Sequence, residues 1–294
     1  MSKIWFWLKN SRLFSLPMTL LSWAIVVTFA LQHNGNIING IIALIGISFA
    51  HLATNLFDDY IDYRKANFDN TQLCKCHYIR SGEATLNELL RVVIIYLSIA
   101  AITGIILFFK TGYPVIILAT IGGLIALCYA FLSQKGFSEI AVGVAFGPLL
   151  FEGVFYVMTK SFSFEIFILS LAVVFFTIGL MYTHTVLDYE GDVASHKKTL
   201  CSRFNKTTAI NGVWIVYGSG YLFTFLFAYL SKNYFVLSTL LLLPLVFDLH
   251  KSLKTFTCGG EIKDFYFRLL KARNLMVFYS VLIILCLIAQ FMIS

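Results

Sequence analysis

Residues 89–109 read LLRVVIIYLSIAAITGIILFF, a run in which Arg91 is the only charge. At 1.5 Å per residue, a helix of this length spans about 30 Å, the thickness of a bilayer's hydrocarbon core. Eight more apolar runs lie at about 14–32, 37–57, 113–132, 138–159, 163–187, 208–230, 233–249 and 274–293. Between them there is too little polar sequence for a soluble unit of useful size. The expectation is an all-α membrane protein, a single domain over residues 1–294 with about nine transmembrane helices.

Composition agrees. Of 294 residues, 59% are hydrophobic and 13% charged, with a mean hydropathy of +0.82, whereas a soluble domain carries about 25% charged residues. The six cysteines are scattered, so no disulfide framework is implied. Cys74 and Cys76 beside His77 are too closely spaced and isolated for a zinc site, which wants four ligands. The first apolar run follows Lys3, Lys9 and Arg12 and is soon succeeded by another, which reads as an anchor and not a cleaved signal.

The basic residues orient the chain. Lys3, Lys9 and Arg12 precede the first run. Arg64, Lys65, Lys75, Arg80 and Arg91 follow the second, Lys135 the fourth, and Lys197, Lys198, Arg203 and Lys206 the sixth. Lys251, Lys254, Lys263, Arg268, Lys271 and Arg273 follow the eighth. Only Lys110, Lys160 and Lys232, of 22, fall on the other side. The positive-inside rule therefore places the N-terminus in the cytoplasm and the C-terminus outside, in a multi-pass protein of the cytoplasmic membrane. The net charge of +7 is this orientation signal, with some attraction to anionic lipid, and needs no nucleic acid to explain it.

Seven of the fifteen acidic residues fall in two short stretches. One is Asn55-Leu-Phe-Asp58-Asp59-Tyr60-Ile-Asp62, with Asp69 beyond it. The other is Asp188-Tyr189-Glu190-Gly191-Asp192. Both are assigned to the cytoplasmic side. On a helix, residues three or four apart share a face, so Asp59 with Asp62, and Asp188 with Asp192, each present paired carboxylates. Such pairs repel unless a cation lies between them. Mg²⁺, which takes one or two carboxylates and shares its remaining positions with phosphates, is the natural occupant. Arg80, Lys197, Lys198 and Lys65 lie in the same two loops, available to the phosphate charge. Either motif alone reads equally well as solvated loop acid. Two on one side of an acid-poor chain point to a metal–diphosphate site. A cation transporter is the competing class, but transporters place such charges near the bilayer midplane.

These residues resemble the UbiA superfamily of intramembrane prenyltransferases, whose nine-helix bundle carries Asp-rich motifs after helices two and six. Within it the sequence is most similar to the 1,4-dihydroxy-2-naphthoate polyprenyltransferases of menaquinone synthesis. Residues 55–62 are similar to that branch's N-L-x-N-D-Y-x-D, and 188–192 with Lys197, Lys198, Thr199 and Leu200 to its D-x-E-x-D and G-K-R-T-L. Gly136–Glu139, Phe146-Gly147-Pro148, Gly153 and Tyr156 resemble its middle elements, and Arg12 and Pro17 its N-terminal R-P-x-T-L-P. There are departures. Asp58 replaces an Asn and adds negative charge to the first site. Asp69 falls one residue late. His184, Thr185 and Leu187 stand where the branch shows Asn, Asn and Arg, and His196 replaces a Gly.

The resemblance implies that a polyprenyl diphosphate and an aromatic acceptor meet at the cytoplasmic face. Asp59 and Asp62 would hold one Mg²⁺, assisted by Asn55, and Asp188 and Asp192 a second. Lys197 and Arg80 would contact the diphosphate. Other acceptors of the superfamily (hydroxybenzoate, geranylgeranylglyceryl phosphate, chlorophyllide, haem) and terpene cyclisation remain open alternatives. An allylic cation needs a dry, aromatic lining, for which Tyr60, Tyr129, Tyr156 and Tyr182 are the candidates. Glu139 and Glu152, acids in or beside the fifth run, read either as functional groups, because burying charge in a membrane is costly, or as protonated, hydrogen-bonded structural residues. Asp248 and His250 read as residues at the end of the eighth run.

Overall fold

The computed structural model describes residues 2–65, 77–194, 199–256 and 262–293, which contain no strand. A short amphipathic helix, α1 (Lys3–Asn10), begins on Ser2, whose Oγ accepts from the Trp5 amide. A 3₁₀ turn (Leu13–Ser15) leads into α2 (Leu16–Gln32), with Pro17 in the first turn, where a missing N–H goes unnoticed. Next come α3 (Ile37–Lys65), α4 (His77–Arg80) and α5 (Leu86–Thr111). The last is opened by a capping box between Thr85 and Glu88. Then follow α6 (Pro114–Gln134), α7 (Ser138–Val144), a π-helical turn (Ala145–Leu149) and α8 (Leu150–Thr159). The chain continues through α9 (Phe164–Leu187), α10 (Tyr189–Ala194), α11 (Lys206–Ser231), a 3₁₀ stretch (Tyr234–Leu242), α12 (Leu243–Lys254) and α13 (Ile262–Ile293).

Among the described residues, nine helical segments are long and apolar enough to cross a membrane. Three of them differ from uniform α-helices with the expected bounds. The fifth is broken at Gly147 (φ −94°, ψ −113°), next to Pro148, which has no N–H to donate. Val174 of α9 packs so closely there that a Cβ on Gly147 would meet it at 3.1 Å. The eighth is 3₁₀ for its first half. The ninth begins at Ile262, so Arg268, Lys271 and Arg273 ride on the helix instead of preceding it.

Burial divides the helices. In its most apolar stretch α9 is 56% buried and α6 only 11%, so α9 lies at the centre and α6 at the rim. Exposed Ile94, Ile95, Ile102, Ile105 and Phe109 give α5 an apolar outer face suited to lipid. The main core gathers on α9, where Phe176 stacks on Tyr279 (3.6 Å between centroids) and meets Tyr217 edge-on. A smaller core of Leu52, Leu56, Leu89 and Val93 joins α3 to α5. It fixes the rotation of α3, and so decides which way the first Asp motif faces.

Candidate active site

The first motif lies on the last turns of α3. With Leu52 and Leu56 packed into the smaller core, Asn55, Asp58 and Asp59 lie along the adjoining side of α3, where they are 9%, 6% and 3% exposed. Two buried carboxylates side by side need a counter-charge, and Arg12 supplies it. Its Nη2 lies 2.5 Å from Asp59 Oδ1 and 3.3 Å from Asp58 Oδ2. Burial works against the guanidinium charge, but Asp59 and Asp58 more than offset it, and the Arg12 pKa is raised. Arg12 reaches the site from the junction between α1 and the 3₁₀ turn, in the left-handed conformation (φ 61°, ψ 48°). That conformation costs a non-glycine residue about 1–2 kcal/mol. The other oxygen of Asp59 accepts from the Tyr78 hydroxyl at 3.2 Å. Asn55 spends both amide hydrogens on the same N-terminal segment, on Ser11 O (3.0 Å) and Ser15 Oγ (3.2 Å). Its carbonyl-type Oδ1 is the group that remains for a ligand.

The second motif follows α9. Asp188 closes that helix, its amide bonding His184 O, and the Asp192 amide bonds Asp188 O at 2.9 Å. The two carboxylates are thus one helical turn apart, and Asp192 is buried while Asp188 is part exposed. His184 Nδ1 lies 3.0 Å from Asp188 Oδ2. Glu190 instead pairs with Lys206 at 2.5 Å.

Glu139 lies beside the second motif. It is 4% exposed and accepts from the Ser138 hydroxyl (2.9 Å) and from Thr185 (3.2 Å), one turn before Asp188. It is also within electrostatic reach of Tyr129, which in turn feels Asp58, Asp62 and Arg12. Behind the second motif, the fully buried Cys201 feels both Glu139 and Asp192. Burial is the chief cause that pushes its thiol pKa up to about 12, against the effect of its hydrogen bond with Tyr182.

The other expected residues divide. Tyr129 is within electrostatic reach of Asp58 and Asp62 of the first motif and of Glu139. Tyr182 is nearby, but its hydroxyl is committed to Ala209 O at 2.7 Å. Tyr60 stacks on Phe57 of its own helix and receives a long (3.4 Å) hydrogen bond from Arg64. Tyr156 is not brought to the motifs. Its hydroxyl donates to Thr111 O at 2.9 Å, at the opposite end of α5 from Glu88. Glu152 sits at that far end too, accepting from the Ser163 amide at the start of α9. Arg80 is exposed on α4. Asp248 pairs with Lys271, and His250 with Asn211. Lys197, Lys198, His196, Asp69, Cys74 and Cys76 lie outside the described residues.

The N-terminal segment was not foreseen as part of the site. Arg12 stood out as an orientation charge and as part of a resembling stretch, and its contact with Asp58 and Asp59 depends on a 46-residue return of the chain. His51, Ser15, Thr19 and Tyr78 were not singled out. The signal for His51 was present: a polar residue in an apolar run, one turn before Asn55.

The donors suit magnesium. They are hard oxygens in pairs, with more negative charge than Arg12 alone balances. Among the described residues no three His, Cys, Asp or Glu side chains form a ready-made cage, and Mg²⁺ is typically held by one or two carboxylates with waters and phosphate.

Solved structures share this fold. In fold, the chain is similar to a structure of digeranylgeranylglyceryl phosphate synthase (TM-score 0.69, 14% identity, 98% of this chain and 100% of that one). It is also similar to a UbiA homologue from Archaeoglobus fulgidus bound to DMAPP and Mg²⁺ (TM-score 0.65, 14% identity, 95% and 98%). An apo UbiA homologue from Aeropyrum pernix K1 matches as well (TM-score 0.67, 15% identity, 94% and 98%). No curated protein matches the sequence. The model of the UbiA prenyltransferase family matches residues 15–257, from the 3₁₀ turn before α2 to the end of α12, and the chain belongs to that family.

Proposed function

We propose that the protein transfers a polyprenyl group from a prenyl diphosphate to an aromatic acceptor, 1,4-dihydroxy-2-naphthoate in menaquinone biosynthesis, at the cytoplasmic face of the membrane. The observation that carries this reading is the pair of acidic motifs, at the ends of α3 and α9 in a bundle of membrane-spanning helices. The Archaeoglobus homologues, bound to DMAPP or GPP with Mg²⁺, lend support to the donor class. The resemblance of the middle segment to the naphthoate branch supports the acceptor.

In this reading Asp59, Asp62 and Asn55 would hold one Mg²⁺, and Asp188 and Asp192 a second. Bound Mg²⁺ supplies charge neutralisation for the departing diphosphate. Arg12, Arg80, Lys197 and Lys198 add positive charge around the diphosphate oxygens. The allylic C–O bond breaks with its electron pair leaving on the diphosphate, and a ring carbon of the acceptor forms the new C–C bond. That carbon's proton, or in the naphthoate case its carboxyl group, is then lost. Tyr129, half-buried beside the first motif, helps to keep water from the cation, which would otherwise give the prenyl alcohol.

The test incubates membranes with 1,4-dihydroxy-2-naphthoate, a long-chain prenyl diphosphate and Mg²⁺, and reads prenylated product by mass. An Asp59→Asn, Asp188→Asn double variant and an EDTA control run alongside. The expected result is magnesium-dependent product, lost in both controls. Pyrophosphate release with another acceptor, or with none, would replace the naphthoate assignment. Neither release nor diphosphate binding under any acceptor would overturn the reading altogether.

A further inference from the structure

We infer that His51 is a positioning residue for the metal site: as a neutral imidazole protonated on Nε2, it fixes Ser15, and through Ser15 the orientation of Asn55. The inference rests on reading the first motif as a magnesium–diphosphate site.

His51 lies on α3 one turn before Asn55, hence on the same face. Both ring nitrogens are engaged by α2 and the turn before it. Nε2 is 3.1 Å from Ser15 Oγ and Nδ1 is 2.8 Å from Thr19 Oγ1, while Phe146 meets the ring edge-on at 5.0 Å. The proton positions follow from what each partner can do. Ser15 has one hydroxyl hydrogen, and it points to Arg12 O at 2.7 Å, a carbonyl that only accepts. Asn55 Nδ2 approaches the same Oγ at 3.2 Å and only donates. Ser15 Oγ is therefore an acceptor on its remaining sides, and the hydrogen between it and His51 belongs to Nε2. Nδ1 is left bare and takes the Thr19 hydroxyl hydrogen. The second Asn55 hydrogen goes to Ser11 O.

Every donor in this network is thus assigned, with Ser15 as its hub. Asn55 presents its amide nitrogen to the N-terminal segment and its oxygen to the ligand. Without the imidazole N–H, the half-buried Ser15 is short of a donor, and the orientation of Asn55 is no longer enforced. The network requires one donor and one acceptor from residue 51, held close together. A glutamine amide provides both, whereas leucine provides neither.

The experiment uses the full chain in detergent and follows binding of Mn²⁺, a stand-in for Mg²⁺ visible by electron paramagnetic resonance, in the presence of inorganic pyrophosphate. His51→Leu is expected to weaken Mn²⁺ binding by roughly 10- to 100-fold, the usual effect of losing an outer-shell partner. His51→Gln is expected to stay within about threefold of the parent, since donor and acceptor survive. Ser15→Ala, a smaller change, should reproduce the loss if His51→Leu does not fold, and thermal unfolding without metal checks each variant. Because His51 acts through Asn55, His51→Leu with Asn55→Ala should bind no more weakly than Asn55→Ala alone. Unchanged binding in both His51→Leu and Ser15→Ala, a His51→Gln as weak as His51→Leu, or losses that add in the double variant would each overturn the inference. If Asn55→Ala and Asp59→Asn leave Mn²⁺ binding unchanged, the reading of the motif as a metal site fails with it. A loss in those two but none in His51→Leu sinks the His51 inference alone.

Discussion

Arg12→Gln removes the guanidinium that pairs with two buried carboxylates, Asp58 and Asp59, and the consequence is calculable. Deleting one partner of a buried ion pair costs about 3–5 kcal/mol because the survivor stays desolvated. The Arg12 side chain is 25% exposed, so water reaches part of the pair and the lower end, about 3 kcal/mol, applies. At about 2–4 °C per kcal/mol for chains near this size, the melting midpoint without metal should fall by roughly 6–12 °C. Magnesium with pyrophosphate places a new cation beside the same carboxylates, so the deficit should shrink when both are added. The assay is tryptophan fluorescence against temperature in detergent at one fixed scan rate, on parent and variant, with and without Mg²⁺ and pyrophosphate. A deficit of the same size in both conditions would refute the idea that metal and Arg12 answer the same charge. No deficit at all would refute the ion pair.

Two further outcomes follow from the second half of the site. Tyr182→Phe loses a buried hydrogen bond to Ala209 O and should cost about 1 kcal/mol of stability while leaving kcat unchanged, measured by melting and by turnover. A large fall in kcat would return Tyr182 to the chemistry. Cys201, with its thiol held neutral up to about pH 12, should resist maleimide at pH 8 in the folded protein and react once unfolded in detergent. Since an unfolded thiol ionises near pH 9, the stability from this buried thiol is fully present below that pH. It is lost as pH rises from about 9 to about 12. A Cys201→Ala variant should show a flatter decline in melting midpoint over that range.

The membrane spans were legible because each is an uninterrupted apolar run, and hydrocarbon solvent permits few solutions to the backbone's hydrogen bonds. The break at Gly147 was less so: Gly-Pro flags a turn, but only the close approach of Val174 explains why it is kept inside a span. The acidic pairs were legible from a three- or four-residue spacing, and that local geometry is what the structure shows at Asp188 and Asp192. What spacing could not show were contacts made across the bundle. Arg12 to Asp59, Glu139 to Thr185 and Ser15 to His51 join residues 36 to 47 apart. Tyr156 illustrates the reverse error, since a tyrosine near a motif-like segment was drawn to the opposite end by a backbone carbonyl it fits.

The participation of Ser11, Arg12 and Ser15 has a practical consequence for anyone shortening this protein. A cut chosen by hydropathy would fall at Leu13, where the first span begins. It would keep all nine segments. It would also discard the guanidinium that meets Asp58 and Asp59 and one of the two acceptors that aim Asn55. A fusion partner joined tightly to α1 would pull on the same residues, whereas one attached after α13 would leave them undisturbed.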